Sequence, residues 1–155
     1  MTEDRRFKAL FFDVDGTLVS FRTHRVPDSA REALCEAHER GVKLYIATGR
    51  AAKDLEVLEG IPCDGVVALN DQLAIGSLVA LRTHGFDVPG QVQVIGFDNI
   101  EESAYLQIPL TTMDSRLEWT APTAVERILR RIGGETVEPE LLMTESRVIA
   151  RSSTR

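Results

Sequence analysis

Short apolar runs alternate with helical stripes along most of this chain, and that alternation leaves few folds open. Ala9-Leu10-Phe11-Phe12 is a continuous apolar run, as expected of a strand buried on both faces. Asp13 to Arg25 is polar and reads as loop, and Pro27 then opens a helix. Ser29 and Glu32 have capping-box spacing, with Ala30, Ala33, Leu34 and Ala37 on one face and Gly41 as the stop. Val42 to Ala47 is a second strand; a helix follows with Leu55 and Leu58 inward, ending by Gly60. Gly65 to Leu69 is a third strand, and Asn70-Asp71 caps a helix that ends at Gly85. Val92 to Phe97 and Leu110 to Met113 are further strands. Ser115 and Glu118 repeat the capping-box spacing before the cleanest stripe of all: Ala121, Ala124, Val125, Ile128, Leu129 and Ile132. Pro122 kinks that helix or marks its start. Arg147 to Ala150 is a last, edge strand. Such a succession calls for a parallel sheet with helices on both faces, a single three-layer α/β/α domain.

Length and composition set the remaining bounds. A chain of 155 residues suits one domain. With 43% hydrophobic and 27% charged residues, it is neither disordered nor fibrous. The net charge is −6 and Arg130-Arg131 is the only tight basic pair beyond the first residues, so no nucleic-acid partner is expected. No specific protein partner is implied. Two cysteines, Cys35 and Cys63, make no disulfide framework and suit a reduced, cytoplasmic setting. No apolar run nears membrane-spanning length, and the charged start, Met1 to Lys8, lacks the apolar core of a signal peptide. His24, His38 and His84 show no ligand spacing and read as solvated.

Two motifs could carry chemistry. Asp13-Val14-Asp15-Gly16-Thr17-Leu18 follows a buried strand directly. Two carboxylates two residues apart at a strand's carboxyl end sit where open α/β sheets bind ligands, and such a pair can hold Mg²⁺. One could also attack phosphorus while the other moves protons. Ile46-Ala47-Thr48-Gly49-Arg50 ends the next strand and opens a helix, so backbone N–H groups near Gly49 and the Thr48 hydroxyl form an anion site, suited to phosphate.

The first part of the chain, FFDVDGTLVSFRTHRVPDSAREALCEAHERGVKLYIATGR, resembles a Cof-type phosphatase of the haloacid dehalogenase superfamily. The resemblance implies that Asp13 is the nucleophile, Asp15 the general acid/base and Thr48 the phosphoryl-holding hydroxyl. That family also uses a later lysine and a G-D-x-x-N-D segment; no lysine follows Lys53 here, and no such segment exists. From about residue 62 onward, VALNDQLAIGSLVALRTHGFDVPGQVQVIGFDN, then PLTTMD and SRVIARSST, resembles the ligand-binding region of a LacI/GalR-type regulator, a relative of periplasmic sugar-binding proteins. There the resemblance gives Asp98 a contact with the effector; Asn70, with Thr48 and Gly49, is a further candidate for ligand binding.

Together these resemblances read as an engineered chimera of a phosphatase-like fragment, 1–60, and a periplasmic-binding-protein-like fragment, 61–155, joined between 55 and 70, without physiological activity. A weak Mg²⁺-dependent phosphatase and residual sugar or other small-molecule binding are the alternatives. Cavities are expected at the join, where helices of different parentage meet. The expected sheet has five parallel strands in the flavodoxin-like order 2-1-3-4-5, with the sixth at an edge. The order 1-2-3-4-5 with right-handed crossovers would put every helix on one face and leave the other bare. In the expected order Asp71 reaches Asp13 and Asp15 to hold Mg²⁺ weakly, while Asp98 lies two strands away, roughly 10 Å. Hydrolysis should stay at background, since losing one electrostatic contact of the lysine's kind costs about 10²–10³ in rate.

Overall fold

The computed structural model describes residues 7–50 and 58–155. Strands β1 (Ala9–Asp13), β2 (Lys43–Thr48), β3 (Gly65–Ala68), β4 (Gln93–Phe97), β5 (Thr111–Asp114) and β6 (Arg147–Ile149) form one sheet. Helices α1 (Asp28–Glu39), α2 (Asp71–Thr83) and α3 (Leu117–Ile132) join them, with a 3₁₀ turn at Glu101–Ala104. The α/β class, the single sheet and the sixth edge strand agree with the sequence reading. The expected helix around Leu55 lies outside the described residues.

The strand order does not agree. The sheet runs β1-β2-β3-β4-β5-β6, parallel except for β6, which is antiparallel to β5. β3 pairs with β2, Tyr45 opposite Gly65 and Ile46 opposite Val66, so the order 2-1-3-4-5 is wrong. The physical consequence is the one-sided arrangement. Register places Ile46, Val66 and Val94 in one row on one face, and α1 and α2 pack on that face. The α/β/α sandwich is thus missing a layer among the described residues: the opposite face carries Phe11, Tyr45, Val67, Ile95 and Met113 with no described helix over it. Phe11 stacks on Tyr45, with centroids 4.8 Å apart. A Cβ on Gly65 would stand 2.8 Å from the Tyr45 ring, so glycine is what lets that ring cross onto β3.

Two apolar cores fill the covered face. Val14, Leu18, Val19, Val26, Leu34, Leu44, Ile46 and Leu58 form the first. Its surprise is the stretch after β1: the segment read as polar loop buries Val14, Leu18 and Val19. The second gathers Val66, Ala74, Leu78, Val94 and Leu110 around α2. Cys63 packs against both. Both cysteines are free, and burial pushes the Cys63 thiol up to about 11. Beside Cys63 an open cavity of about 640 Å³ lies between Ile46, Val66, Ala80, Leu81 and Phe86.

The helix starts are instructive. Asn70 caps α2, its side chain accepting from the Leu73 N–H at 2.8 Å, as its type and place predict. Neither capping-box reading holds. The N-cap of α1 is Pro27 and that of α3 is Arg116, and neither makes a side-chain cap. Pro122 lies inside α3, and no residue of α3 is buried.

Candidate functional site

The carboxyl ends of β3, β4 and β5 converge on Asp71. Its side chain is fully buried at the first turn of α2. One carboxylate oxygen accepts from the Thr112 hydroxyl at 2.5 Å and the other from the Ile100 N–H at 3.0 Å. Gly96 on β4 leaves the room, since a Cβ there would collide with the Asp71 carboxylate. Asp71 therefore works as an internal clamp that ties α2 to β5 and to the loop after β4.

That loop is held in an unusual shape. Asp98 and Asn99 have φ of 112° and 56°, in left-handed backbone. The Asp98 N–H donates to the Met113 carbonyl. Arg151 clamps the far side, donating to the Asn99 side chain at 2.8 Å, the Ser103 hydroxyl at 3.0 Å and the Leu110 carbonyl at 2.7 Å. Asp98 itself is half-buried, and among the described residues its carboxylate has no hydrogen-bond or ion-pair partner. Burial, and secondarily the nearby charge of Asp71, pushes its carboxyl above the ordinary value. A carboxylate held open and uncomfortable at strand ends is an acceptor ready for ligand hydroxyls or N–H groups.

The other sequence-derived residues are arranged differently. Asp13 is exposed and stands beside Ala47 on the uncovered face, while Thr48, the next residue on β2, is buried toward the covered face. The Thr48 hydroxyl accepts from the Arg50 N–H at 2.9 Å. Asp15 is gripped by the Arg50 guanidinium, with Nη2 at 2.6 Å and Nε at 3.0 Å, and this grip holds its carboxyl below the usual range. Gly49 is exposed between them. The sheet order puts Asp71 under β4 and β5 rather than beside Asp13, and Asp98 three strands from β1 rather than two. Asp13, Asp15 and Asp71 are thus not brought together, and no three His, Cys, Asp or Glu side chains gather for a metal among the described residues. His38 is not simply solvated: its Nε2 lies 3.4 Å from Asp64. Sequence reasoning missed Gly96, Thr112 and Arg151; a glycine inside a strand pattern was the one readable signal, since it marks close approach.

Comparison with known proteins fits this geometry. The periplasmic binding protein-like domain family matches residues 15–154. An uncharacterized HTH-type transcriptional regulator from Streptomyces limosus is 32% identical over 119 residues, 77% of this chain and 33% of the relative. The chain therefore spans about a third of that protein's length. The crystal structure of a LacI-type transcription regulator from Bifidobacterium animalis subsp. lactis superposes with a TM-score of 0.68 at 26% identity, over 96% of this chain and 59% of its own. A phosphatase of the haloalkanoate (HAD) superfamily from Bacteroides thetaiotaomicron is 50% identical over 45% of this chain and 26% of its own, with a TM-score of 0.42 that bears on no structural point.

Two expectations fall here. An engineered chimera without activity is overturned by regulator relatives aligned over 77% of the chain and one family spanning both supposed fragments. The expectation of no nucleic-acid partner conflicts with relatives named as helix-turn-helix regulators. No helix among the described residues is long and apolar enough to cross a membrane. From Asp15 to Thr154, across both cores and the Asp98 loop, this chain belongs to the periplasmic binding protein-like domain family.

Proposed function

We propose that this chain is the ligand-sensing part of a LacI/GalR-type transcriptional regulator, acting in the cytoplasm, whose whole form answers to DNA. Its ligand is a small polar molecule, of the sugar or purine class, taken at the carboxyl ends of β3 to β5. Asp98 accepts hydrogen bonds from that ligand and Asn70 lines the crevice beside it. The phosphatase-like first part contributes no chemistry in this reading, with Asp15 committed to Arg50.

The observation that carries the reading is the unpartnered Asp98 carboxylate, held in left-handed backbone by a loop clamped from both sides. Calorimetric titration with a panel of sugars and purines tests it. One class should bind with saturable heat, and Asp98→Asn should weaken it roughly 10- to 100-fold, the worth of a charged hydrogen bond. Binding should also fall as acid protonates Asp98, beginning at a higher pH than an ordinary aspartate would set. Heat that survives Asp98→Asn unchanged, or none across the panel, would count against the proposal.

A further inference from the structure

The turn at Asp98 and Asn99 is held from a residue 52 positions beyond Asn99. Left-handed backbone at two successive non-glycine residues persists only where the surroundings over-determine it. Three restraints act on backbone N–H groups. Asp98 donates to the Met113 carbonyl, Asn99 to the Thr112 hydroxyl at 3.3 Å and Ile100 to Asp71. The fourth acts on a side chain: Arg151 Nη2 donates to the Asn99 side-chain oxygen.

Arg151 is itself fixed before it reaches the turn. Its N–H donates to the Thr111 hydroxyl at 2.8 Å, and two residues on the buried Ser153 hydroxyl donates to the Val94 carbonyl at 2.6 Å. Its two terminal nitrogens then span the crossover from β4 to β5. Nη2 meets Asn99 where the crossover begins. Nη1 meets the Leu110 carbonyl where it ends, and the Ser103 hydroxyl between. Ser103, fully buried, donates onward to the Ile100 carbonyl at 2.6 Å. Among the described residues this half-buried guanidinium hydrogen-bonds to neutral acceptors. What it supplies is therefore shape: two nitrogens in one rigid plane, which the single ammonium of a lysine does not reproduce. Asp98 is not among its partners, so any influence on that carboxylate passes through Asn99.

We propose that Arg151 is the positioning residue of the ligand crevice: through Asn99 it fixes the turn that presents the Asp98 carboxylate to the ligand. The purpose of this arrangement rests on the ligand reading, whereas the placement of Asp98 is measurable with no ligand present.

Carboxyl-carbon titration of Asp98, with amide exchange at residues 98–100, tests it on the full chain carrying Arg151→Lys, Asn99→Gly or both. Glycine takes left-handed backbone at no steric cost, so Asn99→Gly removes the side-chain contact alone. In the parent the Asp98 carboxyl should titrate above its ordinary value. In each single variant water should reach it and bring it down to the ordinary carboxylate range, with exchange faster by roughly 10-fold. The double variant should go no further than either single one, because the two residues serve one contact. Leu44→Ala, which weakens the other core, should leave Asp98 as in the parent. An Asp98 titration unmoved in folded Arg151→Lys or Asn99→Gly overturns the proposal, as do shifts that add in the double variant. If Arg151→Lys does not fold, Asn99→Gly decides alone. Calorimetry with the same sugars and purines separates the two readings. A compound that binds the parent should bind both variants about 10-fold more weakly, and parent affinity in the variants overturns the positioning role. No heat from any of the compounds removes the ligand reading, and the titration still decides what Arg151 does to Asp98.

Discussion

The two cores of the covered face are built on different principles. Around α1 and β2 the interior is almost wholly aliphatic, with Val14, Leu18, Leu34, Leu44 and Ile46 packed together and charges such as Asp13 and Asp15 left outside. Around α2 and β4 the interior also buries Asp71, Ser77, Ser103, Thr112 and Ser153, and every buried side-chain polar atom among the described residues finds a partner. An aliphatic core tolerates small shifts. A hydrogen-bonded one admits few geometries, and a group deprived of its partner costs the full desolvation penalty. The rigid half carries the Asp98 loop, which is where a ligand would need fixed geometry.

Substitutions can sharpen this contrast. Asp71→Ala should do the most damage, about 4 kcal/mol, because it strands the Thr112 hydroxyl and the Ile100 N–H and frees the Asp98 loop. Urea denaturation would show a lowered midpoint, and amide exchange should rise across residues 98–104. Leu44→Ala, at 1% exposure in the aliphatic core, should cost about 3 kcal/mol by cavity formation. Exchange at 98–104 should stay as it was. If both substitutions loosen that loop equally, the two cores form one unit.

A smaller effect comes from Asp64, which sits between the halves. Burial raises its carboxyl, but the Lys43 side chain, the Leu44 N–H and His38 outweigh that and hold it below the usual value. A depressed acid adds stability above its unfolded value of 3.8 and loses it as pH falls through the folded value. The urea midpoint should therefore drop below about pH 4, and Asp64→Asn should remove part of that slope. The smallest effect belongs to Arg50→Ala. The Asp15–Arg50 pair faces solvent, so stability should stay within error of the parent. Carboxyl-carbon titration should show Asp15 rising to its ordinary range. A clear loss of stability instead would mean that the aliphatic half also leans on polar contacts.

Much of the fold was readable because burial leaves a period. β1 to β5 fall within one residue of the runs that mark them, and Asn70 caps α2 by the chemistry of its side chain. Strand order was not readable, since no residue of a parallel strand says which neighbour lies on which side. One clue was present: Lys43-Leu44-Tyr45-Ile46 alternates, as in a strand covered on one face only. At the site, Asp98 could be singled out by resemblance. The true task of Asp71 could not be read, because Thr112 lies 41 residues away and only the closed sheet brings it near. The left-handed Arg116 displaced Ser115 as the start of α3 because the Asp114 carboxylate captures its N–H.

Ser153, fully buried, donates its hydroxyl to the Val94 carbonyl and receives the Thr111 N–H, across 59 and 42 residues. Val94 in turn donates its N–H to the Ser153 carbonyl. The second core is therefore closed by a stretch far along the sequence from the strands it latches. Such distant closure is slow, because loop entropy must be overcome before the contacts form. As the chain emerges, the aliphatic half can settle from neighbouring residues alone. The half around α2 and β4 stays unlatched until residue 153 arrives, so its rigidity follows that of the aliphatic half.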